Sequence, residues 1–246
     1  MAASPTHRHD PHAHWAQRYT FIYETLHGSA LNAMTRATLA HVQTLTPPGT
    51  SILDVGAGTG RLAIPLANLG YQVTAVDHST AMLRQLQKTA PPSITCLNHL
   101  SQHHPSRPYQ VALLVFTTIS YLPTPRALVA LLRQIGDQLA PNGYLIIDQP
   151  GPHTFTSHDH ARRTGDGYVS RKIIMKPTGK ACFLYSECTG GHQRGEPFHY
   201  QTRLRMRYWS LHHLTTYLAQ AGFVVRTTDL SGHEASGARY LLCQRT

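Results

Sequence analysis

The chain has 246 residues, 41% of them hydrophobic, which is enough for one core with an insertion. Its formal charge of +10 leaves RNA, a phosphorylated metabolite or an acidic carrier protein open as partners, but the excess is scattered in short groups such as Arg162-Arg163, Arg171-Lys172 and Arg203/Arg205/Arg207. No apolar run approaches the roughly 20 residues of a membrane span and no signal-peptide core opens the chain, so a cytoplasmic protein without membrane contact is expected.

Residues 1–9 read as a tail, and His7, His9, His12 and His14 meet no acid or cysteine that fixes a metal geometry. The four cysteines, Cys96, Cys182, Cys188 and Cys243, are scattered, and free buried thiols are expected at Cys96 and Cys243. Residues 10–48 form a helical cap. Asp10-Pro11 starts one helix, whose face carries Trp15, Tyr19, Ile22, Tyr23 and Leu26. A second carries Leu31, Met34, Thr38, Val42 and Leu45 until Pro47-Pro48 stops it. The aromatic stripe is either core packing or the wall of a site.

Residues 49–150 read as a nucleotide-binding core. Ser51 to Val55 is a short apolar run, the pattern of a buried parallel strand. Gly56, Gly58 and Gly60 then turn the chain tightly into a helix that Gly70 ends. Bare glycine backbone at a helix N-terminus suits close approach by a ligand. A second strand, Tyr71 to Asp77, ends in an acid that can accept hydrogen bonds from ribose hydroxyls. Ser79 caps the next helix, and Ser93 to Leu97 is the third strand, followed by Asn98, His99 and Leu100. Tyr109 to Phe116 is a central strand with Thr117 to Leu122 at its carboxyl end, where ligands bind in open α/β sheets. A helix over Leu128 to Leu139 leads through Pro141-Asn142-Gly143 to a strand over Tyr144 to Asp148, and His153 leaves its end.

Residues 151–208 change texture. A polar loop over 154–167 is followed by alternating runs at Val169–Met175, Ala181–Cys188 and Phe198–Tyr208, with turns expected at Pro177–Gly179 and Gly190-Gly191. The pattern is that of an inserted antiparallel sheet. Arg203, Arg205 and Arg207 share one face of its last strand, either solvated or an anion-binding wall. Residues 209–246 return to the core with a helix capped by Ser210 and strands over Phe223–Thr228 and Arg239–Cys243.

The Asp54-x-Gly56-x-Gly58-x-Gly60 turn with Asp77 resembles motif I of class I S-adenosylmethionine-dependent methyltransferases. The spacing departs from the G-x-G-x-x-G of dinucleotide sites. The runs Ser79-Thr-Ala-Met-Leu and Leu139-Ala-Pro-Asn-Gly resemble further signatures of that methyltransferase family, and Thr117-Thr-Ile-Ser-Tyr-Leu122 resembles a segment of its small-molecule N-methyltransferase group, which includes sugar N,N-dimethyltransferases and, more distantly, glycine N-methyltransferases. The resemblance implies a Rossmann-like, doubly wound seven-stranded sheet with a helical cap and an inserted antiparallel sheet at residues 151–208 that covers the substrate side or pairs two copies as a homodimer.

It further implies S-adenosylmethionine as cofactor and S-adenosylhomocysteine as product, held by Asp54, Gly56, Ala57, Gly58, Gly60, Asp77, His78, Met82, Asn98, His99, Leu100, Phe116, Thr117 and Tyr121. The family's adenine-binding Asp after the third strand is replaced here by Asn98-His99-Leu100. Tyr19 and Tyr23 match the family's Tyr-x-x-x-Tyr element, and His153 is the candidate base among 18 histidines. The implied reaction is an in-line displacement that moves a methyl group to a small-molecule amine. The alternatives are an RNA-directed enzyme, an O- or C-methyltransferase of a natural product, and a non-catalytic cofactor-binding scaffold. The Asn-Pro-Pro-Tyr motif of many enzymes acting on nucleobase or glutamine nitrogens is absent.

Overall fold

A computed structural model describes residues 10, 12–13, 15–100, 105 and 107–246; His7, His9 and His14 lie outside the described residues. The elements in chain order are α1 (Tyr19–Leu45), β1 (Ser51–Val55), α2 (Ala63–Asn68), β2 (Gln72–Val76), α3 (Thr80–Thr89), β3 (Ile94–Leu97), β4 (Tyr109–Leu114), α4 (Pro125–Gln138) and β5 (Leu139–Pro150). Four long strands follow, β6 (His158–Thr164), β7 (Gly167–Gly179), β8 (Cys182–Gln193) and β9 (Glu196–Arg207), then α5 (Leu211–Gln220), β10 (Phe223–Thr227) and β11 (Ala238–Arg245).

Seven strands form one sheet in the order β10-β11-β5-β4-β1-β2-β3, parallel except for β11, which runs antiparallel to both of its neighbours. From β1 the chain moves outward to β2 and β3, then crosses back to β4 on the other side of β1. That reversal between β1 and β4 opens a crevice at the carboxyl ends of the strands. Central strands read as near-continuous apolar runs because helices cover both faces; Ile52, Leu53, Val111, Ala112, Leu113 and Leu114 are fully buried. Serine and threonine start the helices that flank them. Ser79 Oγ accepts from Met82 N at 3.1 Å, Thr124 Oγ1 from Ala127 N at 3.2 Å, and Ser210 Oγ from His213 N at 3.3 Å.

Several expectations are corrected. The two N-terminal helices are one helix of 27 residues, because Gly28-Ser29 weakens a helix without breaking it and no proline intervenes. Asp10 does not cap it; its Oδ1 accepts from His12 N at 3.0 Å in a local turn ahead of a short 3-10 segment, Ala16–Arg18. The polar stretch taken for a loop contains β6, an edge strand whose residues are almost all exposed and so carry no apolar alternation. Gly190 and Gly191 sit inside β8, and the turn after it is made by Arg194 and Gly195, with φ of 50° and 85°. Cys182 and Cys188 lie on this one strand and both are free thiols.

The second sheet, in the order β6-β7-β8-β9, uses one face for packing. At one end Phe155, Ile173, Met175, Tyr185 and Met206 cluster; at the other Val169 meets Trp15, Ile22 and Leu26 of the N-terminal segment. Arg203 and Arg205 are exposed on the opposite face, and Arg207 folds over Trp209, 4.7 Å from its ring centroid. None of the three walls the inner face.

Candidate active site

The turn after β1 builds the floor of the crevice. Gly56, Gly58 and Gly60 all have left-handed backbone, with φ of 80°, 56° and 93°. A Cβ at Gly56 would strike Thr118 Oγ1 at 2.5 Å and one at Gly60 would strike Leu86 Cδ1 at 2.3 Å. A Cβ at Gly58 meets nothing within 4 Å: its backbone is a bare ledge open to the crevice.

Beside that ledge stands Asp77. Its Oδ2 accepts from Gly58 N at 2.8 Å and its Oδ1 from Ser79 N at 2.8 Å. Each oxygen retains a further lone-pair direction, the requirement for holding two vicinal hydroxyls. Asn98 Nδ2 donates to the Asp77 carbonyl at 3.3 Å, so it braces the acid from behind. The exposed rings of His78 and His99 lie 5.0 Å apart at this end; Met82, on α3, and Leu100, after β3, are both buried.

Asp54, 3% exposed, closes the floor beneath the turn, and burial pushes its pKa up to about 7. Asp148, 2% exposed, lies at the end of β5 and accepts from Thr117 N at 2.9 Å. Burial likewise raises it to about 7, against the pull of the Thr117 amide and the Arg61 guanidinium. That bond holds an unusual turn, since Phe116 and Thr117 are consecutive non-glycine residues with φ of 64° and 65°. Here β4 stops at Leu114, short of the expected Phe116. Such strain is tolerated where surrounding contacts over-determine it. It turns the Phe116 ring across the crevice, under the Arg61 guanidinium at 4.8 Å.

A carboxyl raised this way binds a proton in the folded state that the unfolded chain has already lost. Its contribution to stability is therefore lost as pH rises from the ordinary carboxylate range through about 7. Asp148→Asn is expected to remove that dependence. Relative to the variant, the wild type should lose on the order of 1 to 3 kcal/mol between about pH 5 and 8, read by urea unfolding. A difference that stays constant with pH contradicts it.

The N-terminal segment roofs the crevice. Ser79 Oγ donates to Asp10 Oδ2 at 2.8 Å, Thr20 and Thr59 hydroxyls meet at 3.2 Å, and His12 lies within 6.1 Å of the exposed Tyr121 ring. Trp15, ahead of α1, and Tyr19 and Tyr23 on α1 stack in a column, with Tyr19 to Tyr23 at 4.5 Å and Tyr23 to Phe116 at 5.6 Å. Tyr19 lines the crevice with Asp54, Gly56, Gly58, Arg61 and Phe116. Burial raises the pKa of both Tyr19 and Tyr23, so each hydroxyl keeps its proton at neutral pH.

Tyr23 leads to a buried network that the sequence reading missed. Arg171 Nη2 donates to Tyr23 Oη at 3.0 Å and to Tyr185 Oη at 3.1 Å, while its Nε pairs with Glu187 Oε1 at 3.0 Å. Tyr185 Oη donates to Glu187 Oε2, and Thr189 Oγ1 to Oε1 at 2.5 Å. Burial opposes the Glu187 charge, but Arg171 and the two hydroxyls outweigh it and hold its pKa below the ordinary value. The signal was present in β7, where Arg171 occupies an inward position between buried Val169 and Ile173 while Lys172 faces water.

The structure thus brings Tyr19, Asp54, Gly56, Ala57, Gly58 and Phe116 to one crevice, places Asp77 on its rim, and sets Thr117 and Tyr121 beside it. Gly60 packs inward against Leu86. His153 is not among the lining residues; its exposed ring lies against Gly151 and Gly237 beyond the end of β5. An open glycine ledge beside an acid with spare lone pairs, under an aromatic roof, fits an adenosyl cofactor. Asp77 would hold its ribose, the Gly56–Gly58 backbone its amino-acid part, and Met82 and Leu100 its apolar ring face.

A family model described as a methyltransferase domain matches residues 30–228. Among curated relatives, the 23S rRNA (uracil(1939)-C(5))-methyltransferase RlmD of Halomonas elongata is 49% identical over 43 residues, 18% of this chain and 9% of that protein. The dTDP-3-amino-3,4,6-trideoxy-alpha-D-glucopyranose N,N-dimethyltransferase of Streptomyces venezuelae is 24% identical over 136 residues, 55% of this chain and 54% of that protein. The chain therefore spans about half, or less, of these relatives' lengths. The sugar N-methyltransferase KedS8 from Streptoalloteichus sp ATCC 53650 superposes with a TM-score of 0.76 at 18% identity, covering 100% of this chain and 98% of that one. That likeness establishes a shared fold.

Proposed function

We propose, from the premise that the chain belongs to this methyltransferase domain family, that it transfers a methyl group from S-adenosylmethionine to the nitrogen of a small-molecule amine. The observation that carries the cofactor half is the Gly58 ledge beside Asp77. For the acceptor half it is the Tyr19–Tyr23–Phe116 column, which ends on the Arg171 guanidinium. The names of the sugar N-methyltransferases that resemble this chain support an amino sugar as the acceptor class.

When bound, the cofactor supplies an electrophilic methyl group on a sulfonium. The chain's own residues align, shield and orient. Arg171 fills one lone pair of the Tyr23 oxygen, so the Tyr23 proton turns away from the guanidinium and its remaining lone pair can accept an N–H of the amine. A buried site next to a guanidinium disfavours an ammonium ion, which keeps the nucleophile neutral. Positive charge moves toward nitrogen during transfer, and the ring faces of Tyr19 and Tyr23 attract it. The roof made by His12, Trp15, Tyr19 and Thr20 excludes water, which strengthens each of these interactions.

Tyr23→Phe keeps the stack and removes the hydroxyl. It should lower turnover on the acceptor by about tenfold, with the melting temperature and S-adenosylhomocysteine affinity near wild type. Wild-type turnover would return the column to core packing. The proposal as a whole is tested by incubating the protein with S-adenosylmethionine and amino sugars, simple amines and phenols, and locating the new methyl group by NMR. N-methylation of amines supports it; methylation confined to phenol oxygens or to added RNA overturns it.

A further inference from the structure

Past Tyr23 the same face of α1 presents His27, two turns beyond Tyr19 and about 12 Å along the helix axis. There it meets the edge of the second sheet. The His27 and His160 rings pack edge to face at 5.7 Å, and His160 packs on His158 at 5.1 Å. His158 and His160 sit opposite Ile173 and Arg171 in the β6–β7 register, so both lie on the sheet's inner face. Three imidazoles from two elements therefore converge at the far end of the aromatic column.

The charged groups around them are mainly cationic. Arg162 and Arg171 both act on His27, and Asp159, on the same strand, is the acid that acts on His160. Glu187 is already committed to Arg171, Tyr185 and Thr189, and Tyr23 is neutral. Among the described residues no group of three such side chains is arranged to hold a metal ion. Asp159 pairs with Lys172 on the other face of β6, so on the inner face nitrogen donors and cations outnumber carboxylates, an arrangement that suits an anion.

We propose that His27, His158 and His160, with Arg162, bind an oxyanion of the acceptor, which is therefore an amine that also carries a phosphate or carboxylate group. This rests on the amine-methyltransferase reading given above. It also separates the two ends of the acceptor, with its nitrogen at Tyr19 and Tyr23 and its anion on the order of 10 Å away. His158 Nδ1 lies 3.0 Å from the Thr156 carbonyl and donates to it, leaving Nε2 as a donor to the anion once the ring is protonated. Burial, together with Arg171 and the neighbouring imidazoles, lowers the His27 pKa to about 4 and lowers that of His160 as well. An anion offsets that repulsion, so its binding should draw protons onto the cluster.

Sulfate is the cleanest probe, because it stays doubly charged from about pH 5 to 8 and any pH dependence belongs to the protein. Calorimetric titration should show sulfate binding about tenfold tighter near pH 5.5 than near pH 8, with proton uptake revealed by comparing buffers of different ionisation enthalpy. The His27→Asn/His160→Asn double variant should lose both the tightening and the proton uptake. His160→Asn alone, at an exposed position, should lose part of each without a change in melting temperature. Acetate binding with the same pH dependence but higher affinity narrows the group to a carboxylate, and the reverse narrows it to a phosphate. Sulfate affinity that is equal at both pH values, or unchanged in the double variant, overturns the proposal. The titration requires no methyl transfer, so a chain that binds sulfate as described but methylates no amine would keep this site and lose the activity.

Discussion

Replacing Glu187 with alanine is expected to lower the melting temperature by about 10 °C. Glu187 is 6% exposed and accepts from Arg171, Tyr185 and Thr189. Deleting it leaves the Arg171 guanidinium, itself 7% exposed, without its counter-ion. Breaking one side of a buried pair typically costs about 3–5 kcal/mol, chiefly because the surviving charge is left uncompensated. At this chain length each kcal/mol moves the midpoint by about 2–4 °C. The effect should reach beyond stability: Arg171 also holds the Tyr23 hydroxyl, 148 residues away in sequence. Acceptor turnover should therefore fall with it, while cofactor affinity, set at the other end of the column, changes little. A melting temperature within about 2 °C of wild type would show that the network is solvated in solution.

Asp77→Ala is expected to weaken S-adenosylhomocysteine binding by at least about tenfold, the scale of one charged hydrogen bond. Besides the proposed ribose contact it accepts from Gly58 N and Ser79 N, so its loss strips partners from the glycine turn and from the start of the α3 region together. Asp77→Asn, which keeps one acceptor oxygen, should fall between wild type and alanine. Equal affinity in all three proteins, measured by calorimetry, would remove Asp77 from the cofactor site.

What could be read from the sequence follows how local each cause is. The glycine turn, Asp77 at the end of β2, and the Ser79 and Ser210 caps depend on residues within a few positions of one another, and spacing reveals them. The strand order around β1 was legible through the resemblance, because motif and order travel together in that family. The expected division between Leu26 and Leu31 does not occur, because a helix held by tertiary packing carries one glycine, Gly28, at modest cost. Strand β6 was invisible because an exposed edge strand has no apolar period to detect.

The Arg171 network illustrates a deeper limit. Its members meet through cross-strand register and through a helix distant in sequence, so no window of the chain contains the pattern. Only the odd detail of an arginine at an inward position of β7 pointed to it. The Phe116-Thr117 turn is similar. Its left-handed backbone depends on Asp148, a residue on the neighbouring strand, and nothing in the residue types themselves announces it. Arg203 and Arg205, by contrast, were placed correctly on one strand face; which face met solvent depended on how the second sheet packs against α1.

The most direct test of the account is calorimetric titration of the purified protein, first stripped of any co-purified ligand, with S-adenosylmethionine and S-adenosylhomocysteine. The account predicts one site per chain for each, with micromolar dissociation constants or tighter, abolished or strongly weakened in Asp77→Ala. No binding of either ligand to a folded, ligand-free sample would contradict it.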